Sequence, residues 1–367
     1  MTLAARLPEY PWDELAPIAD KARAFRGGAV DLSVGTPVDP VPAIIQDALA
    51  AAANAPGYPL TAGTPELRSA AAGWLARSLD VHVDPASVLP VIGTKEFIAW
   101  LPVMLGLGPA DTVIHPPLAY PTYDIGARLA GASSVAADDL SDAPSSARLL
   151  WMNSPSNPTG RVLPAPALRD ALTWARGHGC VLASDECYIE LGWTAKPVSV
   201  LHESVRGGSL DGVLAVFSLT KRSNLAGYRA GFVTGDPGLM KQLLLVNRQA
   251  GMIVPAPVQA AMIAALSDDA HAVEQKARYA ARRAVLAAGL TAAGFRIEHS
   301  EAGLYLWATK PGLDCWATCE LLAAECGILA GPGCFCGPDG NSYIRVALTA
   351  TDERVAVAGE RLRALAR

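Results

Sequence analysis

Seven short apolar runs, separated by stretches of Ala- and Leu-rich helical character, fill residues 88–235. They are Val88–Ile92, Thr112–His115, Ser133–Ala136, Leu149–Met152, Cys180–Ala183, Val213–Phe217 and Gly231–Thr234. Ala165–His178 is one of the intervening helices. This alternation predicts an α/β fold with a mostly parallel central sheet and helices on both faces, because parallel neighbours need a crossover and helices supply it. Open sheets of this kind bind ligands outside the carboxyl ends of their strands. Gly93, Asn153, Asp185 and Ser218 each fall just past the end of one run.

The chain has 367 residues, more than one core usually serves, so two domains are expected. A segment over 1–40 is expected to join a small domain. Residues 41–265 would form the large ligand-binding domain. Residues 266–367 would form a small α+β domain, with long helices from about Ala270 and a strand pair within Gly303–Thr309 and Tyr343–Leu348. Pro255-Ala256-Pro257 is placed to open the connecting helix, since proline is tolerated in a first turn.

Hydrophobic residues are 51% and charged residues 18% of the chain, which excludes a disordered segment. The net charge is −5 and no basic stripe is interleaved with aromatics, so nucleic acid is not an expected partner. Met1–Phe25 has no apolar signal-peptide core. The densest apolar run, Phe97–Gly108, is interrupted by Pro102 and too short to cross a bilayer. No membrane association and a cytoplasmic location are therefore expected. The seven cysteines suit neither a disulfide framework nor a zinc site. Cys315-x-x-x-Cys319 and Cys334-x-Cys336 lack a nearby His, and all seven are expected to be small reduced thiols. No metal is expected.

Lys221 follows the run Val213–Phe217 in Ser218-Leu219-Thr220-Lys221-Arg222-Ser223-Asn224, and Arg229 lies in the Gly-Tyr-Arg-Ala-Gly stretch beyond it. Alone, a lysine after a strand is a solvated turn residue. Beside the other groups it fits an amine that forms a Schiff base with pyridoxal 5′-phosphate (PLP). Gly93-Thr94-Lys95-Glu96 opens an apolar helix whose free N–H groups and dipole favour a phosphate. It reads equally as an ordinary helix start. Ser218 and Arg229 would complete the phosphate cup. Asp185 is either a helix cap or the carboxylate that keeps a pyridine nitrogen protonated. Asn157, in the turn Asn157-Pro158-Thr159-Gly160, and Tyr188 can donate to the cofactor's phenolic oxygen. Tyr120, with Tyr123 second, would cover the ring face or fill the core. Arg345, in an apolar strand, is a satisfied core cation or a clamp for a substrate carboxylate.

This ordered set resembles the fold-type I, class I/II aminotransferases. The likeness runs from Leu32-Ser33-Val34-Gly35 through Tyr58-Pro59, Gly93-Thr94-Lys95-Glu96, Tyr120-Pro121, Asn157-Pro158-Thr159-Gly160, Asp185-x-x-Tyr188, Ser218-x-x-Lys221 and Arg229 to Arg345. The resemblance implies that Lys221 anchors PLP and shuttles the proton at the substrate α-carbon. Asp185 partners the ring nitrogen, and Asn157 and Tyr188 the phenolic oxygen. Gly93, Thr94, Lys95, Ser218 and Arg229 frame the phosphate. Gly35, Asn157 and Arg345 meet the substrate. Tyr58 would reach the phosphate of a neighbouring subunit, which implies a homodimer with shared active sites.

Pro11-Trp12-Asp13, Leu32–Pro40, Ser300–Ala308 and Ala347–Arg354 are similar to the actinobacterial succinyldiaminopimelate transaminases of lysine and diaminopimelate synthesis. That closer likeness implies glutamate as amino donor and N-succinyl-2-amino-6-oxopimelate as acceptor. One departure is Cys336, where the family commonly has an aromatic near the end of the loop Gly331–Gly337; a roomier pocket is expected. Lys95, Arg222 and Asn247 are candidates for the distal end of the substrate. Two alternatives stand beside this reading. One is a PLP carbon–sulfur β-lyase. The other is a non-catalytic PLP-fold sensor, whose usual DNA-binding domain has too little room before the first motif.

Overall fold

The computed structural model describes residues 2–365. Twelve strands are present among them: β1 (Val30–Leu32), β2 (Leu89–Ile92), β3 (Thr112–His115), β4 (Ser133–Ala136), β5 (Ala147–Asn153), β6 (Val181–Asp185), β7 (Val213–Ser218), β8 (Ala230–Gly235), β9 (Arg296–Glu298), β10 (Tyr305–Thr309), β11 (Ile328–Pro332) and β12 (Ile344–Ala347).

The larger sheet has the order β2-β8-β7-β6-β5-β3-β4. Its pairings are parallel from β7 through β4, and β8 runs antiparallel to both of its neighbours. The connection from β7 to β8 is too short to hold a crossover, so the chain returns beside β7 in the opposite sense. Helices cover both faces. Thr94–Met104 and Thr122–Ala130 place Phe97, Ile98, Leu101 and Tyr123 on one side. Pro65–Leu79, Ala165–Gly177 and Ala256–Ser267 place Leu67, Trp74, Leu172 and Met262 on the other. β7 and β8 are buried along nearly their whole length, which is why they read as continuous apolar runs rather than alternating ones. Each fully buried Leu or Phe contributes about 1.5–3 kcal/mol.

The smaller sheet has the order β1-β11-β12-β10-β9. β1 pairs with β11 in parallel, and the remaining pairs are antiparallel. The sequence pattern shows only β10 and β12 of this sheet. β1 and β9 have three residues each, too few for a period to appear. β11 ends in Gly331-Pro332, which reads as a loop, yet Gly331 pairs with Arg345 and Pro332 with Ile344. The helix Ala270–Ala292 packs along Asp352–Leu365 over the core of this sheet. Pro255 caps the helix Ala256–Ser267 as expected from its sequence.

No helix among the described residues is long and apolar enough to cross a membrane. All seven cysteines are free thiols. Among the described residues no group of His, Cys, Asp or Glu has the makings of a metal site.

Candidate active site

A cavity of about 600 Å³ lies at the carboxyl edge of the larger sheet, closed from the other side by the smaller sheet and the N-terminal segment. Lys221, Asp185, Tyr188, Thr94, Lys95, Tyr120, Asn157, Ser218, Arg229, Gly35 and Arg345 all line it. Residues beside the ends of β2, β3, β5, β6, β7 and β8 therefore meet Gly35, soon after β1, and Arg345, on β12.

Lys221 sits in a single helical turn, Leu219–Arg222, whose start is capped by Ser218 Oγ accepting from Thr220 N–H at 3.2 Å. Its Nζ donates to Gly35 O at 2.5 Å. Burial pulls the amine below its ordinary range. Tyr305 and Cys187 oppose that shift, while Arg345 and Arg229 add to it. More of the neutral amine is thereby present near pH 7, as a base requires. Gly35 has no room for a side chain, because a Cβ there would run into the Tyr305 hydroxyl.

Asp185 ends β6 and is 5% exposed. Tyr123 donates to its Oδ2 at 2.9 Å and the Cys187 N–H to its Oδ1 at 3.1 Å. Burial pushes the carboxyl above its usual range, against those two hydrogen bonds. A buried carboxylate held by neutral donors still attracts a cationic partner. Asn153 braces the site from below: Nδ2 donates to Asp185 O at 2.8 Å and Oδ1 accepts from Asn157 N–H at 2.7 Å.

Arg345 is 5% exposed and gives its hydrogens to neutral oxygens, Asn157 Oδ1 at 3.1 Å and Ser33 O at 3.0 Å. Its guanidinium lies 4.3 Å from the Tyr305 ring centre and 5.7 Å from that of Trp12. With Asn157 Oδ1 occupied by Arg345, the amide Nδ2 of Asn157 is the end left to donate.

On the opposite wall, Gly93 has φ 74° and offers no side-chain cap to the helix Thr94–Met104. Any Cβ at Gly93 would strike the guanidinium of Arg229. Arg229 itself adopts φ 56°, an uncommon conformation for a residue with a side chain. An uncapped first turn, the Thr94 and Ser218 hydroxyls and an arginine fork form a site suited to a phosphate dianion.

The family model for class I and II aminotransferases matches residues 28–362. The chain belongs to the class I and II aminotransferases. This aminotransferase is 58% identical, over 97% of its length and 99% of the relative's, to the 4-dedimethylamino-4-oxo-anhydrotetracycline transaminase of Streptomyces rimosus. It is 59% identical to a probable aminotransferase of Mycobacterium tuberculosis, over 98% of this chain and 86% of that one. A solved N-succinyldiaminopimelate aminotransferase of M. tuberculosis matches with TM-score 0.87 and 27% identity, covering 100% of this chain and 99% of that one. The class is PLP-dependent, and the residues fit that cofactor. The anion cradle at Gly93 and Arg229 suits its phosphate, the buried carboxylate of Asp185 on the cavity wall its ring nitrogen, and the Lys221 amine its aldehyde carbon.

Tyr58, expected to act on a neighbouring subunit, lies outside its own chain's cavity and is 100% exposed on the connection between the helices Ala43–Ala51 and Pro65–Leu79. Elsewhere the aminotransferase differs from the sequence expectations. Tyr123, the second choice for a ring cover, lies behind Asp185, stacked on Trp151 at 5.0 Å. Tyr120 is on the cavity wall, and burial pushes its hydroxyl up to about 12. Cys336 does not line the cavity. It is buried, its carbonyl accepts from Ala119 N–H at 2.8 Å, and Phe335 is the loop residue that meets Trp12, at 5.2 Å. Arg222 is withdrawn into ion pairs with Glu190 and Asp269, and Asn247 is buried in the helix Pro237–Ala250. Cys187, expected only to fill space, lines the cavity and donates its thiol hydrogen to Thr94 Oγ1 at 3.3 Å.

Sequence reasoning assigned no role to Tyr305 or Trp12. Tyr305 pairs with Ala347 in register, which makes it a diagonal neighbour of Arg345 on one sheet face, and its hydroxyl is 3.5 Å from that of Tyr188. The signal for Tyr305 was its alternation with Trp307 along β10. Trp12 stood in the family-like run Pro11-Trp12-Asp13, but its contact with Arg345 is made only by tertiary folding.

Proposed function

We propose that this aminotransferase passes the amino group of glutamate to N-succinyl-2-amino-6-oxopimelate. The observation that carries the reading is one wall of the cavity. Arg345 lies 5.7 Å from the Trp12 ring, Trp12 is 5.8 Å from Tyr10, and Lys95 Nζ is 5.9 Å from the Tyr10 ring. Two cations thus bracket two aromatic faces, a pattern suited to a long keto acid with carboxylates at both ends. The solved relative named for N-succinyldiaminopimelate supports it.

Bound PLP supplies an electrophilic aldehyde and an electron sink. In our reading Lys221 anchors it and then carries the proton to and from the substrate α-carbon. Arg345 holds the α-carboxylate in its planar fork, with Asn157 and Ser33 keeping the guanidinium in place. Asp185 keeps the ring nitrogen protonated, and Tyr188 and Asn157 donate to the phenolic oxygen. Thr94, Ser218 and Arg229 hold the phosphate, and Gly93 leaves space for it. The Tyr120 ring covers the pyridine face. Arg345→Leu is expected to lower kcat/KM by about 30- to 1000-fold, mostly through KM, since a charged pair of this kind is worth about 2–4 kcal/mol. Unchanged saturation by glutamate would remove the clamp.

The fully exposed Tyr58 supports a homodimer in which it completes the partner's site. Mixing an inactive Tyr58 variant with Lys221→Ala protein would then regenerate activity, as each hybrid dimer holds one intact site. No recovery after subunit exchange would count against sharing.

A second reading is an oxygenated polycyclic ketone as acceptor. The Tyr10, Trp12 and Phe335 rings and the Streptomyces rimosus relative favour it. The deciding experiment follows the visible band of PLP-loaded protein on adding N-succinyl-LL-diaminopimelate. Conversion of the band supports the first acceptor. A band that persists there but converts with glutamate and an aminated polycycle transfers the assignment to the second.

A further inference from the structure

Asn224, three residues beyond Lys221, adopts φ 58° and is buried. Its Nδ2 serves two acceptors, Pro40 O at 3.2 Å and Gln275 Oε1 at 2.9 Å. Gln275 in turn donates from Nε2 to Asp39 Oδ2 at 2.8 Å. Two turns along the same helix, Arg282 closes on Asp39 with both terminal nitrogens, at 2.6 and 2.8 Å, and donates from Nε to Asp352 Oδ1 at 2.6 Å. Gln275 and Arg282 are 5% and 2% exposed. Burial works against the Asp39 charge, yet the hydrogen bonds from Arg282 and Gln275 hold its carboxyl below the usual range. The ion pair is therefore a fixed point in the smaller sheet's helices.

Two segments leave this point toward the cavity. Asp39 continues back through Pro37 to Gly35, whose carbonyl takes the Lys221 Nζ hydrogen. Pro37 fixes φ inside that five-residue stretch, so a displacement at Asp39 is passed on to Gly35. Asn224 continues back through Ser223 and Arg222 to Lys221. The Gln275 amide joins the two segments, and it accepts from one while donating to the other. A side-chain amide can do both at once, through its oxygen and its NH₂.

We propose that Gln275 is a positioning residue for Lys221: its amide sets the register between the Lys221 turn and the Gly35–Pro40 segment, and with it the placement of the amine. The inference rests on Lys221 as the proton-moving amine of the site. The groups that face Lys221 from the surrounding elements are Tyr305, Cys187, Arg345 and Arg229. A substitution at Gln275 leaves all four in place, so a change in Lys221 titration reports a change in its position.

The test uses Gln275→Met, which keeps the length and loses both hydrogen bonds, and Gln275→Glu, which sets a carboxylate against Asp39. The visible band of each PLP-loaded protein is titrated with pH in the absence of substrate, and KM and kcat for glutamate are measured beside the thermal midpoint. Gln275→Met is expected to move the titration midpoint by about half a unit or more. kcat for transfer from glutamate should fall about tenfold with KM held within about threefold, and Gln275→Glu should do more. Lower thermal midpoints with a wild-type titration and kcat would make Gln275 a brace and overturn the proposal. Should both variants fail to fold, Asn224→Ser reads the same link from the other side, and an unmoved midpoint there overturns it equally. A failure of the Lys221 reading is told apart because Lys221→Ala would then keep the wild-type pH titration.

Discussion

Lys221→Ala protein is expected to lose transamination by about 10⁴-fold or more, the upper range for a positioned base, while keeping its fold. The side chain makes one hydrogen bond within the protein, to Gly35 O. It lies in a one-turn helix held from both sides, by Ser218 at its start and by buried Arg222 at its end. Removing three methylenes and an amine at the cavity wall leaves those supports untouched. The measurement is steady-state transfer from glutamate, together with the visible spectrum. The variant should also lose the borohydride-stable attachment of the cofactor to the chain. Full turnover in Lys221→Ala would mean that another base serves the α-carbon, and the assignment of the whole site would fall with it.

Asp185→Ala is the second large effect, expected at about a thousandfold in kcat. A carboxylate beside a protonated ring nitrogen shifts that group's pKa by about 1–3 units, and each unit is worth 1.36 kcal/mol. At the upper end this is about 4 kcal/mol of support for the charge that collects on the ring. The phosphate cradle at Gly93, Thr94 and Arg229 is built by other strands, so PLP should still bind. The variant also leaves the Tyr123 hydroxyl, now donating to Asp185 Oδ2, buried without its acceptor, at a cost of about 1–3 kcal/mol in stability. Asp185→Asn keeps an acceptor for Tyr123 and separates the two effects. It should recover stability and little activity. A rate equal to wild type in either variant would take the ring-nitrogen role away from Asp185.

Much of the larger sheet was readable in the chain because its inner strands are buried on both faces. β3 and β4 begin and end where their apolar runs do, and β5, β6, β7 and β8 overrun theirs by a residue or two. The position of Lys221, Asp185 and Asn157 followed from that sheet, since each is tied to a strand end by a few covalent links. Arg345 was visible as a charge in an apolar strand. Its partner was not: Ser33 O lies more than three hundred residues away, and nothing in either local pattern announces the contact. The same holds for Trp12 over Arg345 and for the Asp39–Arg282 pair. Arg278, Arg282 and Arg283 fall at helical spacing in the sequence, and charge spacing along a helix does not say which side another segment will cover. Cys187 was read by composition alone, and composition cannot distinguish a thiol that fills a core from one set between Asp185 and Thr94.

β1 makes its only sheet contact with β11. During synthesis the first of these strands leaves the ribosome long before the second exists, and it has nothing to pair with until residues 328–332 emerge. The larger sheet can already be assembled by then, since all of its strands lie between Leu89 and Gly235. Ser33 and Gly35, which follow β1 directly, are the residues that meet Arg345 and Lys221. Closing so long a loop is slow, and chains fold from the N-terminal side as they are made. A nascent chain therefore carries its lysine and phosphate cradle early, and the wall that confines the substrate is fitted last, by the oldest part of the polypeptide.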